Sequence, residues 1–221
     1  MLEKVSLRFR GSCMMLMQRS GDSVEFLGSC FLVRSSGYLL TTARAVATDA
    51  ELLAVPPETD DRYPSLTRNE VDPIPVEIVA VDREHDIALL KLQPDLKIQM
   101  PADIIGEPDE TPRGAALMSI GIPFGYYRVH TVLAPGSVLA GRARTANGSR
   151  LLIFDRRVQY GDSGGPLVRV SDGSVIGIVG GLFDPEHFGG VQAPEGVHVH
   201  PNFSYAISIE YASELMTAQG I

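Results

Sequence analysis

No stretch of this sequence stays apolar for the about 18 residues that a membrane-crossing helix needs, so no transmembrane segment is expected. The N-terminus, Met1-Leu2-Glu3-Lys4-Val5-Ser6, lacks the basic region, apolar stretch and small-residue cleavage site of a secretory leader. That favours a cytoplasmic protein, or a periplasmic or secreted one whose leader has been removed. Basic residues are in deficit, 19 Lys and Arg against 27 Asp and Glu for a net charge of −8, and they are dispersed. A phosphate backbone is therefore a poor partner, and nucleic acid is excluded from the expectation. No internal repeat is visible.

Cysteine is scarce too, and two residues cannot make a disulfide scaffold. If Gly21-Asp22 is a two-residue hairpin turn, Cys13 faces Cys30 at a non-hydrogen-bonded site, where side chains lie close and a disulfide is geometrically feasible. One bulge would break that register. In a reducing compartment, two free and buried thiols are the expected state. Asn147-Gly148-Ser149 and Asn202-Phe203-Ser204 match the glycosylation acceptor pattern, which means little without secretion.

What is present suits a β protein. The 221 residues are 44% hydrophobic, enough for a packed core in one all-β domain or two small lobes. Leu7 to Val33 reads as a hairpin, and Tyr38 to Val46 follows a Ser35-Ser36-Gly37 turn. Val55 to Pro75 is rich in Pro and Asp and reads as an irregular connection. Pro75 to Asp82 alternates as a strand does. Asn147-Gly148, a dipeptide suited to two positive φ angles, and Asp172-Gly173 mark two further hairpins. Ser208 is placed to cap a short helix with Glu210 in its first turn and Tyr211, Leu215 and Met216 on its apolar face. The densest signal is Gly161-Asp162-Ser163-Gly164-Gly165-Pro166. Three glycines around one serine are costly in a strand or helix, and suit a tight turn that presents one hydroxyl.

These six residues resemble the nucleophile loop of chymotrypsin-fold serine peptidases. Gly28-Ser29-Cys30-Phe31-Leu32-Val33 with Tyr38 to Val46 resembles the first-barrel signature of the HtrA-type branch, and His85-Asp86-Ile87-Ala88-Leu89-Leu90 resembles its triad-carboxylate segment. Ala115 to Gly125, Val175 to Gly181 and Phe203 to Ile209 resemble second-barrel segments, and no PDZ module follows. The resemblance implies an all-β fold of two perpendicular six-stranded antiparallel barrels with a short C-terminal helix. Residues 1–105 would form the first barrel, and 106–221 the second with the helix. It implies a serine endopeptidase acting on peptides or unfolded proteins, with Asp86 as the carboxylate, Ser163 as the nucleophile and the amides of Gly161 and Ser163 as the oxyanion hole. Arg157 and Val158 would floor the specificity pocket, with Gly180, Gly181, Leu182 and Phe183 along one wall. No cofactor is implied, and trimers are frequent in the branch.

The departure from the family pattern is at the catalytic histidine, whose position holds Arg44. A serine hydroxyl needs a base to take its proton, and arginine, protonated below about pH 12, cannot be one. The chain therefore reads as a serine endopeptidase frame silenced at one position. The alternative is a non-catalytic module that binds peptides or a protein in the old cleft. His85, His130 and His187 are each weighed as a substitute base and read as solvated or structural. His198 and His200 share a strand face and could grip a metal, but no third ligand is evident, so no metal is expected. Asp162 calls for an arginine, an amide or water as its partner.

Overall fold

The computed structural model describes residues 1–9, 11–21, 23–46, 51–57, 71–93, 98, 100, 103–127, 132–190 and 202–221. Helix α1 (Leu2–Phe9) precedes six strands, β1 (Cys13–Ser20), β2 (Ser23–Leu32), β3 (Tyr38–Thr41), β4 (Glu51–Val55), β5 (Ile74–Asp82) and β6 (Ile87–Leu92). Six more follow, β7 (Ala116–Ser119), β8 (Gly136–Arg144), β9 (Arg150–Phe154), β10 (Pro166–Arg169), β11 (Ser174–Leu182) and β12 (Ser204–Ser208), and then helix α2 (Glu210–Ala218). Each set closes on itself, in the orders β1-β2-β3-β6-β5-β4 and β10-β11-β12-β9-β8-β7. Two closed six-stranded antiparallel barrels with a short C-terminal helix are thus what the chain forms. Among the described residues, no helix is long and apolar enough to cross a membrane.

Period-two alternation explains why apolar runs in the sequence are nearly continuous. In β6, Ile87 and Leu89 face a core shared by the two barrels, whereas Ala88, Leu90 and Leu92 face the interior of the first. Successive side chains point to opposite faces, and here both faces are covered. The second barrel is filled by Leu117, Leu152, Phe154, Leu167, Ile176 and Val179. The shared core also takes Val5 and Phe9 of α1 and Ala212 and Met216 of α2, and α2 lies against β6 of the first barrel.

Four local expectations are corrected. Leu16 pairs with Gly28 but Met17 with Phe26, so Leu27 is an extra residue in β2. That bulge sets Cys13 opposite Phe31 and Cys30 opposite Met14, and the two cysteines enter different cores as free, buried thiols. Burial pushes the Cys13 thiol up to about 12. The hairpin at Asn147-Gly148 is longer than two residues, since Arg144 pairs with Arg150 and only Gly148 of the dipeptide has positive φ, at 90°. Of the stretch read as a hairpin, Leu7 to Phe9 belong to α1, with Val5 and Phe9 as the buried stripe. Ser208 ends β12 with its hydroxyl buried and unbonded among the described residues, and Ile209 takes the N-cap position.

Phe31 is fully buried in the core shared by the barrels. Truncation to Ala is expected to cost about 3–5 kcal/mol, read as a lower urea midpoint with an unchanged slope.

Candidate active site

The site is assembled from segments far apart in the chain. Strand β3 runs into a 3-10 turn, Ala43–Ala45, which carries Arg44. Asp86 stands just ahead of β6 in the left-handed region, φ 56°, a conformation that aspartate tolerates better than most residues. Its carboxylate accepts from the Arg44 backbone N–H at 2.8 Å and pairs with Arg44 Nη1 at 2.9 Å. Nη1 also donates to the Tyr205 hydroxyl at 2.9 Å, and Nη2 donates to Ser163 Oγ at 3.1 Å and to the Gly180 carbonyl. With two hydrogens on each Nη, both nitrogens are fully engaged. Burial opposes the guanidinium charge, but Tyr205 and Asp86 outweigh it and the pKa of Arg44 lies above its ordinary value. Burial raises that of Asp86, against the pull of Arg44.

Ser163 follows a second 3-10 turn, Tyr160–Asp162. The Ser29 N–H donates to the Ser163 carbonyl at 2.8 Å, and the Ser29 hydroxyl donates to the Gly161 carbonyl at 2.7 Å while accepting from the Ile122 N–H at 3.0 Å. One buried serine of β2 thereby fastens the loop to both barrels. Gly164 has φ 87° and a Cβ there would stand 2.0 Å from the Ser29 carbonyl oxygen, so only glycine fits. Behind the loop, Asp162 is 1% exposed, accepts from the Gln159 N–H at 2.8 Å and pairs with Arg156 Nη2 at 3.0 Å. Arg156 also donates to Ser119 Oγ. Burial raises the pKa of Asp162, partly offset by Arg156, and lowers that of Arg156 itself.

The cleft in front of Ser163 has a volume of about 560 Å³. Val158, Gly180, Gly181 and Leu182 line it as the sequence suggests, with Tyr205 beside them. Arg157 is exposed and does not line it, nor does Phe183, whose ring stacks on Phe188. Its neighbour Arg156 turns inward instead, because the buried Asp162 carboxylate holds it. His85 is occupied elsewhere: its Nδ1 meets Asp82 at 2.6 Å, and its ring stacks on Tyr211 with centroids 3.8 Å apart. His187 lines the cleft, whereas His130, His198 and His200 lie outside the described residues. Among the described residues, no group of His, Cys, Asp and Glu could hold a metal. Sequence reasoning missed Ser29, Arg156 and an aromatic wall of Phe26, Tyr126 and Tyr160. The Gly28-Ser29 step beside a strand was the signal for the first, and none marked the others.

Comparison with known proteins gives the family and the fold. Residues 28–178 match the family described as a trypsin-like peptidase domain. The chain is 30% identical over 169 residues to the magnetosome formation protease MamE of Magnetospirillum gryphiswaldense, covering 74% of this chain and 20% of that protein. It is 30% identical over 154 residues to the serine protease HTRA1 of Xenopus laevis, covering 68% of this chain and 30% of that one. It therefore spans less than a third of the length of the curated relatives it matches. Among solved structures, the HtrA-type protease AlgW with tripeptide superposes with a TM-score of 0.71 at 23% identity, over 99% of this chain and 63% of that chain. AlgW with decapeptide gives 0.71 at 21%, over 99% and 67%. At that identity the likeness concerns the fold.

Arg156→Met leaves Asp162 buried without its cation and is expected to cost about 3–5 kcal/mol at pH 7. A carboxyl whose pKa is raised in the folded state binds its proton more tightly there, so the variant gains stability as pH falls through that pKa. Its deficit against the parent should shrink from pH 7 to pH 5 in urea melts. An equal deficit at both would show that Arg156 does not compensate the Asp162 charge.

Proposed function

Because this chain belongs to the family of trypsin-like peptidase domains, we propose that it is an HtrA-like serine endopeptidase domain silenced by Arg44, whose cleft still binds peptides. The observation that carries the reading is the direction of one hydrogen bond: Arg44 Nη2 donates to Ser163 Oγ. A nucleophilic serine must donate its proton to a base, and a protonated guanidinium beside it can only donate in turn. Asp86 would steady an imidazole in an active relative; here it neutralises the guanidinium instead. The amides of Gly161 and Ser163 would remain as oxyanion donors. In proteases of this type such a remnant gives roughly 10³ to 10⁴-fold over water, which routine assays read as no activity.

Binding does not need the base. The cleft is open, and the last strand residues on its wall, Gly181 and Leu182, offer a peptide partner a surface beside Ser163. The peptides in the two AlgW structures support a peptide as the ligand class.

A fluorophosphonate probe tests the silenced frame. The chain as it stands should not be labelled, Arg44→His should be labelled at Ser163, and adding Ser163→Ala should abolish that labelling. Labelling of the parent chain would overturn the reading, since another group would then be activating the serine. A folded Arg44→His variant that stays unlabelled would assign the cleft to binding alone, with the oxyanion loop no longer competent.

A further inference from the structure

We infer that the part of the cleft walled by Phe26, Tyr126 and Tyr160 takes a cationic side chain, lysine or arginine, from the bound peptide. This rests on the peptide-binding reading above and names the chemistry of the ligand.

Arg44 leaves only part of the cleft free. It engages the Gly180 carbonyl, the Tyr205 hydroxyl and Ser163, so the polar groups beside the serine are already used within the chain. The aromatic wall is not used in this way. Phe26 and Tyr126 meet edge to face with centroids 5.1 Å apart, and Tyr126 and Tyr160 do the same at 5.3 Å. Phe26 is the buried base of the ladder, whereas Tyr126 is 50% and Tyr160 79% exposed. Two tyrosine rings at the surface of a cleft, partnered edge to face by each other and by Phe26, leave much of their surface exposed for contact.

The charge around this wall selects the ligand. Glu25 lines the same cleft, and only one of its carboxylate oxygens is engaged among the described residues, by Gln18 Nε2 at 3.0 Å. Asp184 lines it as well. The cation in the cleft, Arg44, is paired with Asp86 at 2.9 Å rather than with either of them. Burial, Tyr160 and the Glu25 carboxylate all raise the pKa of the Tyr126 hydroxyl, which marks a spot where further negative charge is disfavoured. Aromatic faces attract cations through their quadrupole, and a carboxylate at the edge of the ladder adds a counter-ion. A chain with net charge −8 also draws basic peptides at long range. An acidic side chain would meet Glu25 across the same rings, and a purely aliphatic one would leave that carboxylate unanswered.

The test uses four fluorescein-labelled heptapeptides, alanine-rich and capped at both ends, with lysine, arginine, norleucine or glutamate at the centre, titrated against the whole chain by fluorescence anisotropy. Lysine and arginine peptides should bind about tenfold more tightly than norleucine, and glutamate most weakly. Glu25→Gln and Tyr160→Leu, both at exposed positions and each verified as folded by circular dichroism, should each cut the preference over norleucine to a few-fold or less. Equal affinity for the lysine and norleucine peptides would overturn the inference while leaving peptide binding standing. A lysine preference that survives both substitutions would overturn it too, by placing the cation elsewhere. If none of the four peptides gives a saturable signal, the peptide-binding reading fails and the inference with it.

Discussion

The site is governed by the way one guanidinium is satisfied. Arg44 is only half buried, yet its two terminal nitrogens reach a carboxylate, a hydroxyl, a phenol and a main-chain carbonyl contributed by both barrels. A planar, permanently charged group with fixed donor directions selects acceptors in its own plane. An imidazole has a donor and an acceptor and can reverse them; a guanidinium has donors alone. Asp86 and Ser163 are thus bridged by a group that donates to both and accepts from neither.

The nucleophile loop is held by a different kind of constraint. Ser29 satisfies two loop carbonyls and the Ile122 N–H at once, and Asp162 is buried against Arg156, so the loop is tied to β2 on one side and to an internal cation on the other. The glycines are required by distance as much as by torsion, because the neighbouring carbonyls stand where side chains would be. None of these ties involves Arg44, so the loop is held independently of the guanidinium that bonds Ser163 Oγ.

Both barrels, the Arg44–Asp86–Ser163 meeting and the wall from Gly180 to Leu182 were legible through short motifs that resemble a known family, whose pattern joins segments that spacing alone does not. What escaped depended on placement between distant segments. Arg156 and Arg157 are adjacent, and only the fold decides which one a buried carboxylate claims. The single extra residue at Leu27 is invisible to a pattern count, yet it moved Cys30 away from Cys13. Phe26, Tyr126 and Tyr160 come from three separate stretches, and no periodicity joins them. Helix α1 was hidden because its apolar stripe, Val5 and Phe9, is too brief to stand out.

Helix α2 is the last element of the chain, but it lies on β6, in the first half. During synthesis the first barrel therefore leaves the ribosome with that flank of β6 uncovered, and Ile87 and Leu89 wait for side chains from the second barrel and α2 to complete their surroundings. A truncated chain keeps all the strands of its first barrel and still exposes apolar surface, which quality-control chaperones recognise. Docking of the second barrel and α2, rather than closure of the first barrel, is the event that covers the apolar flank of the N-terminal half.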